Sequence, residues 1–93
     1  METTYKPGQP RSVSYTGTAG EAEAVSAKTT KIRVYATTNC FIKISTAGTS
    51  ATSSDMPLTA ELAEYFDCEP DSIVSFIRQS SDGTGYVTDM SKS

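Results

Sequence analysis

Between Lys31 and Ile44 the chain alternates twice between apolar and polar positions. Ile32, Val34 and Ala36 alternate with Lys31, Arg33 and Tyr35. After Thr38-Asn39 the alternation resumes, with Cys40, Ile42 and Ile44 set against Phe41 and Lys43. A period of two on both sides of a short polar break predicts two half-buried antiparallel strands.

The rest of the pattern is also strand-like. Ser12 to Thr16 predicts a first strand, closed by Gly17 and Gly20. Glu21 to Val25 has helix-forming composition but is too short to hold a helix unaided, so an extended segment is expected. Ile73 to Ile77 is the strongest strand after the opening pair, and Tyr86 to Thr88 closes the set. Asp82-Gly83 marks the connection over residues 80–85 as a hairpin. Pro57 places the short Asp55-Met56-Pro57-Leu58 stretch at an edge or a bend. Thr59 to Glu64 imitates a helix capping box but is one turn at most. Ser45 to Ser54 contains only Ser, Thr, Ala and Gly, so it predicts a surface loop, either a flexible connection or one whose small side chains let another backbone approach closely.

Six to eight short strands, with turn signals roughly every 8–12 residues, predict an all-β fold. The expected architecture is a small antiparallel β-sandwich, jelly-roll-like, with an extended N-terminal arm. The arm is residues 1–11, which hold Pro7, Gly8 and Pro10 without apolar periodicity. Residues 12–93 form the single domain. Val74 and Phe76, with Ile32, Val34, Ile42 and Val87, are the expected core. Ile73 and Ile77 fall on the opposite face with Ser75. Tyr65-Phe66 puts two rings on opposite sides of one strand, one entering the core and the other either available to a partner or packed under the 45–54 loop.

Composition narrows the chemistry. Hydrophobic residues make up 37% of the 93. The core is therefore thin, and association is expected to add stability. Net charge is −3, which argues against a nucleic-acid partner. Residues 1–33 carry five basic against three acidic side chains, and residues 34–93 three against eight, so an acidic body follows a mildly basic N-terminal third. No apolar leader or membrane-spanning run is seen. Synthesis in a cytoplasm is expected, with Cys40 and Cys68 as reduced, buried core residues rather than a disulfide.

Histidine is absent, which removes His-based metal sites and the Ser-His-Asp triad. Glu61, Glu64, Asp67, Glu69 and Asp71 could ligate calcium, but their spacing is not that of a calcium loop. A solvated acidic edge that discourages aggregation is the expected reading. Gly83-Thr84-Gly85 lacks the helix a phosphate loop needs. No catalytic residue, metal or cofactor is therefore expected.

Several of these segments carry a family likeness. They are the segment Val34 to Lys43 with its Ala36-Thr37-Thr38-Asn39-Cys40, the stretch Ala51 to Ala60, Glu64-Tyr65-Phe66, Val74 to Ile77, and Gly83 to Met90. Together they resemble small structural proteins of tailed bacteriophages. Those proteins tend to show an Ala-Thr-x-x-Cys strand, a Ser/Thr-rich loop, a Met-x-Leu-Pro-Ala-like segment, a Glu-Tyr-Phe strand and a terminal Val-Thr-Glu-Met. This chain departs at Pro57-Leu58-Thr59, where the proline precedes the leucine, and at Asp89, where the pattern has Glu. The resemblance implies a virion protein without catalytic residues, made in the host cytoplasm. Capsid decoration or cementing is the first expectation; a head-tail connector or tail component is the alternative, and a carbohydrate- or receptor-binding module a weaker one. The implied partners are further copies of the chain, as a homo-oligomer, and other virion proteins, the major capsid protein first; no membrane is implied. The candidate contact residues are Tyr5 and Arg11 on the arm, Tyr65 and Phe66, and Ile77.

Overall fold

The computed structural model describes residues 5–92, with the backbone alone at residues 5–7, 9 and 91–92. Eight strands follow in chain order: β1 (Tyr5–Tyr15), β2 (Gly20–Glu21), β3 (Lys31–Ala36), β4 (Cys40–Ser45), β5 (Met56–Leu58), β6 (Glu64–Asp67), β7 (Ile73–Arg78) and β8 (Gly83–Lys92). They form two antiparallel sheets of four strands, ordered β1-β8-β3-β6 and β2-β7-β4-β5. The all-β expectation is met. The described residues contain no helix.

The two sheets face each other across one core, in a sandwich-like body measuring 43 × 26 × 21 Å. Ile32, Val34 and Ala36 project inward from β3, Val87 from β8 and Tyr15 from β1. Cys40 and Ile42 from β4, Leu58 from β5, and Val74 and Phe76 from β7 meet them. The Tyr15 and Phe76 rings bridge the layers, with centroids 5.8 Å apart and planes 9° from parallel. Gly85 is required beneath this pair, because a Cβ there would sit 2.5 Å from Phe76 Cε2. All six expected core residues are buried.

Two expected partnerships differ from those found. The strands on either side of Thr38-Asn39 are both present, but they do not pair with one another. β3 pairs with β6 and β8, whereas β4 pairs with β5 and β7. The break is a corner at which the chain changes sheets. Tyr15 OH donates to the Thr38 carbonyl at 2.8 Å, Thr37 N–H donates to the Thr84 carbonyl at 3.0 Å, and Thr84 N–H donates to Thr37 Oγ1 at 2.9 Å. The Asp82-Gly83 connection likewise crosses from β7 to β8 in the other sheet and is not a hairpin. In both cases each strand has one apolar side, and crossing lets those sides oppose each other across the core.

The extended segment expected over residues 1–11 is extended over its described part, but it is not a separate arm. β1 pairs with β8 along its length, from Tyr5↔Lys92 to Tyr15↔Gly83, and so runs through the expected boundary at residue 12. Residues 1–4 lie outside the described residues. The prolines are accommodated because β1 is an edge strand and its register shifts between Pro7 and Pro10.

Ala22 and Val25 are buried in an extended run beyond β2. Their N–H groups donate to the Val74 and Ser72 carbonyls at 2.9 and 2.8 Å. Pro57 sits on edge strand β5, as its ring predicts. Both cysteines are free; Cys40 is buried and Cys68 packs half-buried against the core. Burial pushes the Cys40 thiol up to about 11, so it stays a small apolar filler rather than a nucleophile.

Candidate functional site

Pleating sends alternate residues of the first sheet outward. The outward set includes Gly8 and Pro10 on β1, Tyr86, Thr88 and Met90 on β8, Lys31, Arg33 and Tyr35 on β3, and Tyr65 and Asp67 on β6. Register aligns them in rows. Tyr35 lies opposite Tyr86, Thr88 opposite Arg33, and Arg33 opposite Tyr65. All of them but Lys31 and Asp67 line an open groove of about 620 Å³.

The Tyr35 and Tyr86 rings meet at 6.1 Å with a 50° tilt, and the Arg33 guanidinium carbon lies 5.7 Å from the Tyr35 ring centre. That cation–π contact holds Arg33 over the groove. Arg33 forms no ion pair among the described residues. Thr88 is 7% exposed, and its hydroxyl has no hydrogen-bond partner among the described residues. No carboxylate lines the groove among the described residues. The described lining of the groove therefore offers apolar ring faces, one positive charge and one unused hydroxyl, with the Lys31–Asp67 pair in the next row of the same face. That combination suits recognition, in which apolar walls supply contact area and a few polar groups fix orientation.

The five expected contact residues are dispersed. Tyr65 stands 55% exposed at the groove edge, the available half of its aromatic pair. Phe66 turns inward opposite Ile32 and packs against the core. Ile77 is half-buried on the outer face of the second sheet, opposite Phe41. Arg11 points to the inner side of β1 and pairs with Asp89, which also accepts from Thr29 Oγ1 at 2.8 Å and Ser26 N–H at 3.1 Å. That cluster joins β1, β8 and the segment before β3. Tyr5 is paired with Lys92 through the backbone, and its side chain lies outside the described residues.

Sequence reasoning did not single out Arg33, Tyr35, Tyr86, Thr88 and Met90 as a site. They sit at i, i+2 spacing on strands far apart in the chain. Only the pairing of β3 with β8 brings them together.

The acidic residues expected to form a solvated edge do so in part. Glu64 and Asp67 lie on edge strand β6, with Asp67 3.5 Å from Lys31 Nζ. No group of three or more Cys, Asp or Glu side chains is gathered to hold a metal among the described residues. No family model, curated protein or solved structure matches the chain.

Proposed function

We propose that the chain is a structural protein of a bacteriophage virion, most simply a capsid decoration or cement protein that acts through protein–protein contacts and not by catalysis. The observation that carries this reading is the bare tyrosine face of the first sheet, backed by a closed core. An exposed aromatic patch on a rigid layer is a docking surface, because aromatic anchors dominate interface energy. A second contact area is available where Ile77 and Phe41 meet on the opposite outer face. A thin body with apolar patches on both sides suits a protein placed between neighbours.

The strand order also supports reading the body as a jelly roll, in which two sheets of four strands interleave as two Greek keys. Jelly rolls recur in viral capsid and lectin domains, so the fold adds support by analogy alone. The motif likeness to tailed-phage structural proteins points the same way. A head–tail connector or tail component uses the same surfaces. The ring faces beside Arg33 and Thr88 favour one further reading, a carbohydrate-binding module. Specific glycan binding on an array, abolished by Tyr86→Ser, is the result that promotes it.

The test is co-sedimentation of purified protein with phage heads, together with antibody labelling of intact virions. Capture by heads, lost on Tyr65→Ser with Tyr86→Ser, is expected. Virions that carry no label and heads that capture no protein overturn the proposal.

A further inference from the structure

We propose that the tyrosine groove receives the Leu62 turn of a second copy of this chain, so that two copies exchange turns about a two-fold axis. The inference rests on the reading of the tyrosine face as a protein-docking surface and names its occupant.

The groove asks for an apolar side chain to cover its rings and an anion to meet Arg33. The turn after β5 offers both on adjacent residues. Leu62 is 55% exposed, level with Tyr65 as the most exposed large hydrophobic side chain among the described residues. Glu61, directly before it, is exposed as well. Among the described residues Arg33 has no ion-pair partner in its own chain and no carboxylate lines the groove. An apolar knob beside a carboxylate is complementary to a ring-lined cup beside a guanidinium.

The knob is also held in place. Glu61 N–H donates to the Ala36 carbonyl at 2.8 Å, and Ala60 N–H donates to Asn39 Oδ1 at 2.7 Å. Glu61 itself adopts a φ of 59°, a left-handed conformation that residues with a Cβ seldom occupy. Strain of this kind persists where the surroundings enforce it, and it gathers at binding sites. A turn fixed before contact loses little freedom on docking.

Topology selects a second copy as the occupant. Leu62 lies three residues before Tyr65, whose ring borders the groove. Knob and cup therefore share one edge of one sheet. A two-fold operation that brings the first turn over the second groove brings the second turn over the first, and the contact closes at two copies. Both exposed hydrophobic sites are then covered together, with two Arg33–Glu61 pairs.

The experiment is sedimentation velocity over a concentration series, with circular dichroism confirming that each variant is folded. Wild type is expected to form a concentration-dependent dimer. Leu62→Asp should weaken it by about thirtyfold or more, as for a hot-spot anchor. Arg33→Glu and Glu61→Arg should each weaken it, and the two together should restore association. Leu62 and Glu61 are exposed, so their replacement leaves the monomer fold in place. A wild type that stays monomeric up to its solubility limit overturns the proposal. So does a dimer indifferent to Leu62→Asp, or a charge-exchanged pair that associates no better than either single change. Capture by phage heads is scored on the same samples, which separates loss of self-association from loss of virion binding.

Discussion

The two sheets share one core but treat their outer faces differently. On the second sheet the Ser/Thr loop folds back over the strands. Ala51 is buried, and its N–H donates to Ser75 Oγ at 2.8 Å; Ser75, on the outer side of β7, is fully buried beneath it. Gly48, at φ 69°, brings the loop against Ile73, where even an added Cβ would come within 3.3 Å of Ile73 Cδ1. Asp55 fastens the far end by accepting from Thr52 N–H at 2.8 Å, with Lys43 Nζ 3.5 Å away. Among the described residues no comparable loop is laid over the tyrosines of the first sheet. Small residues allowed one outer face to be covered by the chain's own backbone. The other face keeps large rings in the open, with Tyr65 55% and Tyr86 37% exposed.

The largest expected effect comes from the layer beneath both faces. Phe76→Ala removes the ring that stacks on Tyr15 and fills the space left by Gly85. Its cost is expected at about 3–5 kcal/mol in denaturant unfolding, the usual range for emptying a buried aromatic site. That is a large share of a total that for small domains is roughly 5–15 kcal/mol. A loss below about 1 kcal/mol is incompatible with a shared core, because a buried ring cannot be removed so cheaply.

The middle effect tests the covered face. Ser75→Ala deletes the acceptor of the Ala51 N–H and the hydroxyl that donates to Glu21 Oε2 at 3.2 Å. A buried donor left without a partner costs about 1–3 kcal/mol. Amide exchange should rise at Ala51 and along residues 46–55, while β3 and β8 keep their protection. Unchanged exchange at Ala51 means that the loop is held by something other than Ser75.

Strands β3, β4 and β7 are legible in the sequence because each carries its own alternation, and so are the core positions Val74, Phe76, Ile32, Val34, Ile42 and Val87. Pairing was not legible. Alternation states which side of a strand is apolar, and it is satisfied equally by a neighbour in the same sheet or by a strand across the core. The corner at Thr38-Asn39 and the crossing at Asp82-Gly83 therefore read as turns within a sheet. Pro7 and Pro10 suggest an unpaired segment and so shorten β1 in the sequence pattern, whereas an edge strand with a register shift accepts them. Of the groove, only Tyr65 was visible, from the adjacency of two rings. Arg33, Tyr35, Tyr86 and Thr88 look like ordinary outward positions until β3 and β8 lie side by side.

The smallest expected effect belongs to the bare face and sharpens the contrast most. Tyr65 and Phe66 are neighbours of similar size on one strand, facing opposite ways. Tyr65→Ser removes an exposed ring that borders the groove, and the monomer should change by no more than about 0.5 kcal/mol, as for surface substitutions generally. Phe66→Ser should cost clearly more, because its ring packs opposite Ile32 against the core. Paired unfolding curves read the difference directly. Docking should invert the order, since Tyr65→Ser leaves a folded monomer that has lost an anchor. If Tyr65→Ser destabilises the monomer as much as Phe66→Ser, the ring supports its own sheet, and the tyrosine face is already in use within the chain.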